Sequence, residues 1–382
     1  MLQNLFENIG QYTQKGKNFH FLKSTVDSFD SFMLVSNKVT NKGSHIRDNF
    51  DVRRSMWIVV VALIPALLFG MYNVGYQHYL SLELPQNTWN CFAFGFFKVF
   101  PIWLVAYIVG RVIEIICAQM RHEKVNEGFW VTGLLITLIL PPDVPLWMVA
   151  IATAFAVIFG KEVFGGTGMN IWNPALLARA FIFISYPSKM SGNSVWIADK
   201  VDVYSGATTL SRLGLGDIAN MPNINELFVG LMPGCIGETS KIAILIGAVI
   251  LLMTGVASLK IMFSVVAGGL LTGLLFNSIG GASPMLSVPA FDYLLMGGFM
   301  FGAVFMATDP VTSSQTKSGK WIYGLLIGAL AIVIRVLNPY YNEGMMFAIL
   351  IMNTFVPLID YIVIKNHKKN RKKRIEVYNN LI

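Results

Sequence analysis

The residues best suited to chemistry lie in one polar stretch, Asp202-Val-Tyr-Ser-Gly-Ala-Thr-Thr209. Ser, Gly and Thr are common turn formers, so a polar turn without chemistry is one interpretation. The other interpretation concerns the hydroxyl of Thr208, which small residues flank and which a modifying enzyme can therefore reach. Such a hydroxyl can carry a phosphoester. The stretch thus predicts either a surface turn or a site of covalent modification.

A glycine-rich segment, Gly160–Ala180, offers a second kind of site. Its glycines at 165, 166 and 168 allow positive φ angles, and Asn173–Pro174 can begin a new half-helix. The free N–H groups at a helix start suit anions and carbonyl ligands, and interrupted carbonyls suit a cation. Close packing of helices through small residues is the alternative.

Charged residues inside apolar stretches mark two more candidates. Each costs about 2.5–3.5 kcal/mol or more at the centre of a bilayer. Gly110 and Glu114 share one helix face, and Arg111 can pair with Glu114, so the group is either functional or an ion pair that makes the charges tolerable. Asp309, followed by Pro310, is either an oxygen ligand for a cation or a helix N-cap. Further charges of this kind are Glu162, Arg179, Asp292 and Asp360.

The composition defines the class of protein that must position these residues. Of 382 residues, 54% are hydrophobic and 13% are charged, whereas soluble domains carry roughly 25% charged residues. We therefore expect an all-α integral membrane protein rather than a soluble globule, a disordered chain or a nucleic-acid binder. The three cysteines form no CxxC pair, which disfavours a disulfide framework, a zinc site or an iron–sulfur cluster held by this chain alone. The polar segment 1–51 predicts no signal peptide.

About ten apolar stretches are long enough to be membrane spans, since a crossing helix needs about 20 residues. The third and fifth are short and end or begin at prolines, so we expect broken or re-entrant segments there. The ten stretches are 56–76, 97–117, 128–141, 146–160, 174–187, 241–256, 259–277, 288–307, 320–337 and 345–364.

The basic residues predict the orientation of these spans. With both termini in the cytoplasm, 21 basic residues, Lys161 among them, lie on the cytoplasmic side. Six, including Lys241 and Arg335, lie at or beyond the other face. This bias supports both ends being cytoplasmic. The predicted organisation is a cytoplasmic arm (1–55), a five-helix half (56–187), an outer loop (188–240), a second five-helix half (241–364) and a basic cytoplasmic tail (365–382).

A weak internal repeat relates the two halves at an offset of about 170 residues. Gly128–Phe129, followed by an apolar run into Pro141, is echoed by Gly298–Phe299 and a run into Asp309–Pro310. Paired halves with broken segments at matching positions are typical of transporter-like repeat folds, whose site lies between the halves. Glycine-rich apolar sequences also produce such echoes by accident.

Several landmarks together resemble a known family. The pattern Asp-x-x-Ser-Gly-Ala-Thr is similar to a flavinylation motif, and the chain as a whole resembles the NqrB subunit of Na+-translocating NADH:quinone oxidoreductases. RnfD, which belongs to the related ferredoxin:NAD oxidoreductase, shares this loop and helix plan, but it typically has a shorter N-terminal arm and differs around Gly75 and Asn173–Pro174. The landmarks are His45–Asp48, Gly70–Gly75, Lys124–Gly128, Gly165–Ala180 and the loop at 202–208.

The resemblance implies a urea-transporter-like fold and a set of cofactors. FMN would be attached through its phosphate to Thr208, the last residue of a motif formed with Asp202, Ser205, Gly206 and Ala207. Riboflavin would bind without a covalent bond, and quinone would bind at Gly110 and Glu114 with help from the N-terminal arm. The residues flanking Gly110 depart from the family pattern, which leaves the alignment of this helix open by a turn. Asp309 is the candidate Na+ ligand, and Trp196 and Tyr204 are candidates for flavin stacking.

The resemblance also implies an assembly and a location. The chain would join subunits A, C, D, E and F in a bacterial inner membrane, receive FMN from a flavin transferase and pass electrons from NADH to membrane quinone while Na+ moves outward. No nucleic-acid partner is expected. The alternatives are an RnfD-type subunit, a cofactor-free solute channel or transporter on the same repeat plan, and a purely structural anchor.

Overall fold

The computed structural model describes residues 43–44, 52–122, 128–190, 195–199, 206–217, 221–280, 284–338 and 343–379. Most of the predicted N-terminal arm lies outside these residues, as do Asp202, Tyr204 and Ser205. Within the described residues, the helices are joined by turns and loops, and there is no strand. The prediction of an all-α membrane protein is confirmed.

The α-helices of the described residues are numbered in chain order. Short 3-10 turns at Pro187–Lys189 and Pro284–Ser287 lie between them, and two helices continue into π-helical turns, α4 at Ile158–Glu162 and α11 at Gly302–Met306. The helices are α1 (Val52–Ser81), α2 (Thr88–Met120), α3 (Phe129–Ile139), α4 (Leu146–Val157), α5 (Pro174–Ser185), α6 (Thr209–Gly214), α7 (Ile224–Val229), α8 (Lys241–Met253), α9 (Leu259–Ile279), α10 (Ala290–Leu295), α11 (Phe299–Phe301), α12 (Lys317–Leu337) and α13 (Met345–Asn379).

Each of the ten predicted spans contains at least one apolar helix. Five helices, α1, α2, α9, α12 and α13, are long and apolar enough to cross a membrane, and α3, α5 and α8 are shorter. The third and fifth spans are short, as predicted. The eighth span is also broken, which the sequence analysis did not predict: α10 ends at Leu295, Gly297 has a φ of 56°, and α11 begins at Phe299. Glycine adopts this backbone conformation without steric cost.

Two buried cations from distant helices stabilise the break between α10 and α11. Arg335 of α12 donates to the carbonyl oxygens of Tyr293 (2.5 Å) and Met296 (3.1 Å), and Lys241 of α8 donates to that of Gly297 (3.4 Å). Carbonyls freed from a helix inside an apolar core require such partners. Both cations are therefore buried inside the protein.

The packing of helices recurs between the two parts of the chain. In the first part α2 contacts α3 and α4, and α4 contacts α5; in the second, α9 contacts α10 and α12, and α12 contacts α13. Helix α1 packs against α8, so the first helices of the two parts meet. This is the pattern expected of a repeat fold. The boundaries of the two halves stay a prediction.

Glycines set how closely these helices approach. A Cβ added to Gly95 of α2 would overlap the carbonyl oxygen of Met71 on α1. A Cβ added to Gly328 of α12 would overlap that of Val265 on α9. Each helix pair therefore packs backbone against backbone, as small residues allow in membrane proteins.

Candidate functional site

A cavity of about 80 Å³ lies where the start of α1, the N-termini of α3 and α5, the end of α8 and the π-helical turn after α11 meet. We call it the half-helix cavity, because the short helices α3 and α5 both begin at it. Besides Ser55 and Thr132, its polar lining comes from the glycine-rich segment and from the second part of the chain: Lys161, Thr167, Asn170, Asn173, Thr308 and Asp309.

Asn173 joins the two parts of the chain at this cavity. Its Oδ1 accepts hydrogen bonds from the N–H groups of Ala175 (3.0 Å) and Leu176 (3.4 Å), so it caps α5, and Pro174 occupies the first helical turn as predicted. Its Nδ2 donates to Oδ2 of Asp309 at 3.3 Å. One amide therefore starts a half-helix and contacts the candidate Na+ ligand.

The glycine-rich segment adopts the backbone that its sequence predicts. Gly165, Gly166 and Gly168 have φ angles of 115°, 97° and 93°. Arg121 holds the start of this segment, because it forms an ion pair with the carboxylate of Glu162 and donates to its carbonyl oxygen at 3.3 Å. The loop before Asn173 is thus fixed to the end of α2.

Asp309 has features of both of its predicted roles. Its Oδ1 accepts from the N–H of Val311 at 3.0 Å, as in a capped turn. Its other oxygen faces Asn173 at the half-helix cavity. Burial raises the pKa of this carboxyl group, although hydrogen bonds from Val311 and Thr312 oppose the shift. A buried carboxylate of this kind gains from a bound cation.

Glu114 lies at the centre of a buried charge cluster. Nη1 of Arg111 lies 3.3 Å from its Oε2, which is the predicted pairing, and Lys161 forms an ion pair with its Oε1. All three side chains are at most 6% exposed. Lys161 also lines the half-helix cavity, so it links Glu114 to that cavity. Sequence reasoning counted Lys161 as a loop residue; only the packing of α4 on α2 reveals its role.

The space beside Gly110 is filled by an aromatic ring. A Cβ added to Gly110 would overlap Cζ of Phe129, the first residue of α3. The ring of Phe129 therefore occupies the space beside Gly110, where the resemblance implies that quinone binds. The ring of Tyr107 lies 6.0 Å from that of Phe129. The assignment of Gly110 and Glu114 to quinone binding stays a prediction.

Thr208 caps α6 on the predicted outer side. Its Oγ1 accepts from the N–H of Ser211 at 3.2 Å and donates to Oγ of Ser211 at 2.9 Å. The side chain is half-buried, whereas Gly206 and Ala207 before it are buried. Asp202 and Ser205 of the motif lie outside the described residues.

A second cavity, of about 20 Å³, lies beside Thr208. We call it the Thr208 cavity. Trp196 is buried in a small cluster with Val195 and Cys235, and Cys235 lines the cavity. The lining also includes Thr209, Met232, Glu238, Lys241, Gly297 and Glu343.

Arg179 of α5 forms ion pairs with two carboxylates that line this cavity. Its Nη1 lies 2.5 Å from Oε1 of Glu238, and its Nη2 forms an ion pair with Glu343. Gly298 provides the room for Glu238, because a Cβ there would lie 2.6 Å from the carboxylate. Burial raises the pKa of Glu343, and the nearby Arg179 opposes the shift.

The same region contains a possible metal-ligand set. Ligand atoms of Cys235, Glu238 and Glu343 lie within 4.8 Å of one another. However, both carboxylates are already paired with Arg179. Burial also raises the pKa of the Cys235 thiol well above its ordinary value, and the thiolate is the form that binds metals. The geometry is that of an ion-pair network.

Asp360 of α13 anchors the loop that follows Asp309. Its carboxylate accepts from the hydroxyls of Ser314 (2.7 Å) and Thr316 (2.6 Å) and from the N–H of Gln315 (3.0 Å). Asp292 lies on α10 and contributes to neither cavity. The sequence analysis identified Asp360 as a charged residue of an apolar stretch, but the sequence could not predict that its carboxylate binds this loop.

An all-helical membrane bundle with interrupted helices and buried charge clusters defines a class of integral membrane proteins. The model of the NQR2, RnfD, RnfE family matches residues 39–369, and the chain belongs to this family. The resemblance inferred from the sequence is confirmed.

Relatives with an established name match over nearly their whole length. The B subunit of the Na(+)-translocating NADH-quinone reductase of Pseudomonas aeruginosa (strain LESB58) is 42% identical over 98% of this chain and 99% of its own. Proteins of the same name from Azotobacter vinelandii and Chromohalobacter salexigens are 41% and 40% identical, with coverage of at least 97% on both sides.

Proposed function

We propose that this chain is the membrane-embedded NqrB subunit of a Na+-translocating NADH:quinone oxidoreductase, in which it relays electrons to quinone while Na+ crosses the membrane. The observation that carries the proposal is the end-to-end similarity to relatives named as this subunit. The buried charge clusters support it, because ionisable groups inside membrane proteins are usually functional. This similarity favours the proposal over an RnfD-type subunit.

Thr208 is the proposed attachment site for FMN. A flavin transferase would form an ester between Oγ1 of Thr208 and the phosphorus of an activated FMN donor, and the hydroxyl proton would depart with the leaving group. The half-buried hydroxyl and the presence of Lys241 in the lining of the adjacent Thr208 cavity support attachment there. Bound FMN supplies one-electron transfer. The non-covalent riboflavin implied by the resemblance belongs to the same proposal.

The test is mass spectrometry of the peptide that spans residues 201–212, from protein produced together with the flavin transferase. We expect the added mass of FMN on Thr208 and its loss in Thr208→Ala, together with the loss of flavin fluorescence from the band on a denaturing gel. The matched control is Thr209→Ala, whose hydroxyl lies 3.6 Å from Sδ of Met232; this variant should keep the flavin. An unmodified wild-type peptide would reject the site.

The same preparation tests the channel alternative. A flavin that stays with the protein after acid precipitation would exclude a cofactor-free solute channel or transporter. A colourless protein would favour it.

The cluster around Glu114 is proposed to serve quinone reduction. Its carboxylate is the proposed proton-transfer group, and the ion pairs with Arg111 and Lys161 fix its position. Quinone binding beside Gly110 would require the ring of Phe129 to move.

Asp309 is proposed to bind Na+ at the half-helix cavity. Asp309 and Thr308, which carry carboxylate and hydroxyl oxygens, both line this cavity, and Asn173 holds Asp309 through its Nδ2. Oxygen ligands of this kind suit a hard cation. The chain would work with subunits A, C, D, E and F in a bacterial inner membrane, with both termini in the cytoplasm.

A further inference from the structure

Tyr107 of α2 has a buried hydroxyl whose capacity for hydrogen bonding is not used. Its oxygen is shielded from solvent, and the part of the chain that the structure describes provides it with no hydrogen-bond partner. Burying a hydroxyl without a partner costs free energy, and the large majority of buried polar side-chain atoms are paired. The hydroxyl of Tyr107 therefore requires an explanation, and one explanation is a partner that a ligand supplies.

The ring of Tyr107 is held in place by its neighbours. Its centroid lies 5.5 Å from that of Trp103 and 4.5 Å from that of Trp130, and the ring of Phe129 lies 6.0 Å away. Its Cδ2 would lie 3.4 Å from a Cβ added to Gly133, so the backbone of α3 also packs against this ring. Because the ring is packed on several sides, its hydroxyl has a fixed position.

The position of Tyr107 relates it to the proposed quinone site. Tyr107, Gly110 and Glu114 follow one another at intervals of three and four residues, so they lie on one face of α2. The hydroxyl lies close enough to Glu114 and Arg111 to interact with their charges. Phe129, which fills the space beside Gly110, is also a ring neighbour of Tyr107. A planar ring in the place of Phe129 would therefore lie next to Tyr107.

We propose that Tyr107 is a substrate-binding residue of the quinone site and that its hydroxyl donates a hydrogen bond to a carbonyl oxygen of the bound quinone. The hydroxyl then obtains from the substrate the partner that the described protein groups do not give it. A donor that is fixed in advance binds such an oxygen without the cost of ordering a side chain. The inference rests on the proposed quinone reduction and adds a residue that recognises the quinone ring.

The variant Tyr107→Phe tests this inference, because it removes the hydroxyl and keeps the ring. In the purified complex, kcat/KM for quinone should fall about fivefold or more, which is the loss expected for one hydrogen bond. The rate of NADH oxidation by an artificial electron acceptor should not change. The thermal unfolding midpoint of this subunit should stay the same or rise, because the hydroxyl has no hydrogen bond to lose among the described residues.

Two other buried tyrosines provide matched controls. Tyr293 of α10 also has a shielded hydroxyl without a partner among the described residues, so Tyr293→Phe should keep both the midpoint and kcat/KM for quinone. The hydroxyl of Tyr323 donates to Oδ1 of Asn353 at 2.7 Å. Tyr323→Phe should therefore lower the midpoint and leave kcat/KM for quinone unchanged.

The results separate this inference from the proposed function. A wild-type complex that oxidises NADH with the artificial acceptor but does not reduce quinone would overturn the proposed function. Quinone reduction by the wild type with an unchanged kcat/KM in Tyr107→Phe would overturn only the role of Tyr107. An equal loss of kcat/KM in Tyr293→Phe would also overturn that role. If Tyr107→Phe unfolds at a lower temperature or does not assemble, the hydroxyl serves the fold, and the inference is wrong.

Discussion

At the scale of single residues, the carboxylate of Glu114 is buried among positive charges. It faces two buried cations, Arg111 and Lys161, and its removal would leave both without their shared anion. Uncompensated buried charge is strongly destabilising. A test of its chemistry therefore needs a substitution that preserves shape and hydrogen-bonding atoms, which is glutamine rather than alanine.

Glu114→Gln should lower quinone reduction by about tenfold or more, since a positioned proton-transfer group contributes factors of this size or larger. NADH oxidation by an artificial electron acceptor should change little. The two rates of the purified complex provide the measurement. Glu162→Gln, which removes a buried carboxylate paired with Arg121, is the control. Equal loss of both activities in Glu114→Gln would count against the quinone assignment.

If Asp309 binds Na+, the Na+ concentration needed for turnover should depend on pH. Because burial raises the pKa of this carboxyl group, its neutral form persists to higher pH than that of an ordinary aspartate. Protons then compete with Na+, so the Na+ concentration for half-maximal turnover should rise as the pH falls towards the raised pKa of Asp309. Turnover as a function of Na+ at several pH values measures this. Asp309→Asn should lose the pH dependence, and an unchanged profile in that variant would exclude the role.

The sequence predicted some of these residue contacts and missed others for a physical reason. The Arg111–Glu114 pair follows from helical spacing alone, and the positive φ angles of Gly165, Gly166 and Gly168 follow from residue type. Lys161 and Glu114 form a pair although they lie 47 residues apart in the sequence and on different helices. Only tertiary packing brings such residues together, so local patterns could not predict it.

At the scale of elements, the interrupted eighth span depends on a guanidinium from another helix. Arg335 is fully buried and donates to the carbonyls of Tyr293, Met296 and Glu343. In the sequence, prolines predicted that the third and fifth spans are short. Gly297 and Gly298 did not predict the break between α10 and α11, because glycines in an apolar stretch serve helix packing equally well.

Arg335→Met should destabilise the folded chain by about 3 kcal/mol or more, because it leaves three buried carbonyls without their donor and each costs about 1–3 kcal/mol. The stability of Arg335→Lys should lie between those of Arg335→Met and the wild type, since an ammonium group replaces a planar group that has more donors. Denaturant unfolding of the purified complex, followed by the signal of this subunit, measures the change. Arg371→Met, which alters an exposed residue of α13, is the control; equal stability of the two variants would contradict the role of Arg335.

At the scale of the whole molecule, the composition and the spacing of apolar stretches predicted the helical class and the positions of the apolar helices. The basic-residue bias predicted an orientation, although three of the residues that it counted, Lys161, Lys241 and Arg335, are buried. The recurrence of helix contacts agrees with the predicted repeat. The two cavities between the parts of the chain could not be predicted, because they arise where distant segments leave space.

The predicted orientation can be tested by labelling introduced cysteines. Leu215 is 77% exposed at the end of α6. In intact cells, the variant Leu215→Cys should therefore react with a membrane-impermeant maleimide. Lys317→Cys, at the exposed start of α12, should react only after permeabilisation. Mass-tag shifts on a gel, corrected for the native cysteines, give the result. The reverse labelling pattern would mean that both termini lie outside.

Helix α13 continues without interruption far past the hydrophobic layer. Its 35 residues extend about 52 Å at 1.5 Å per residue, whereas the hydrocarbon core is about 30 Å thick. Pro357 lies within this helix and is a position at which it can bend, so the part that follows, which includes Asp360, is the part that extends to the far end. Because Asp360 binds Ser314 and Thr316, that part of α13 is attached to the loop that leads away from Asp309.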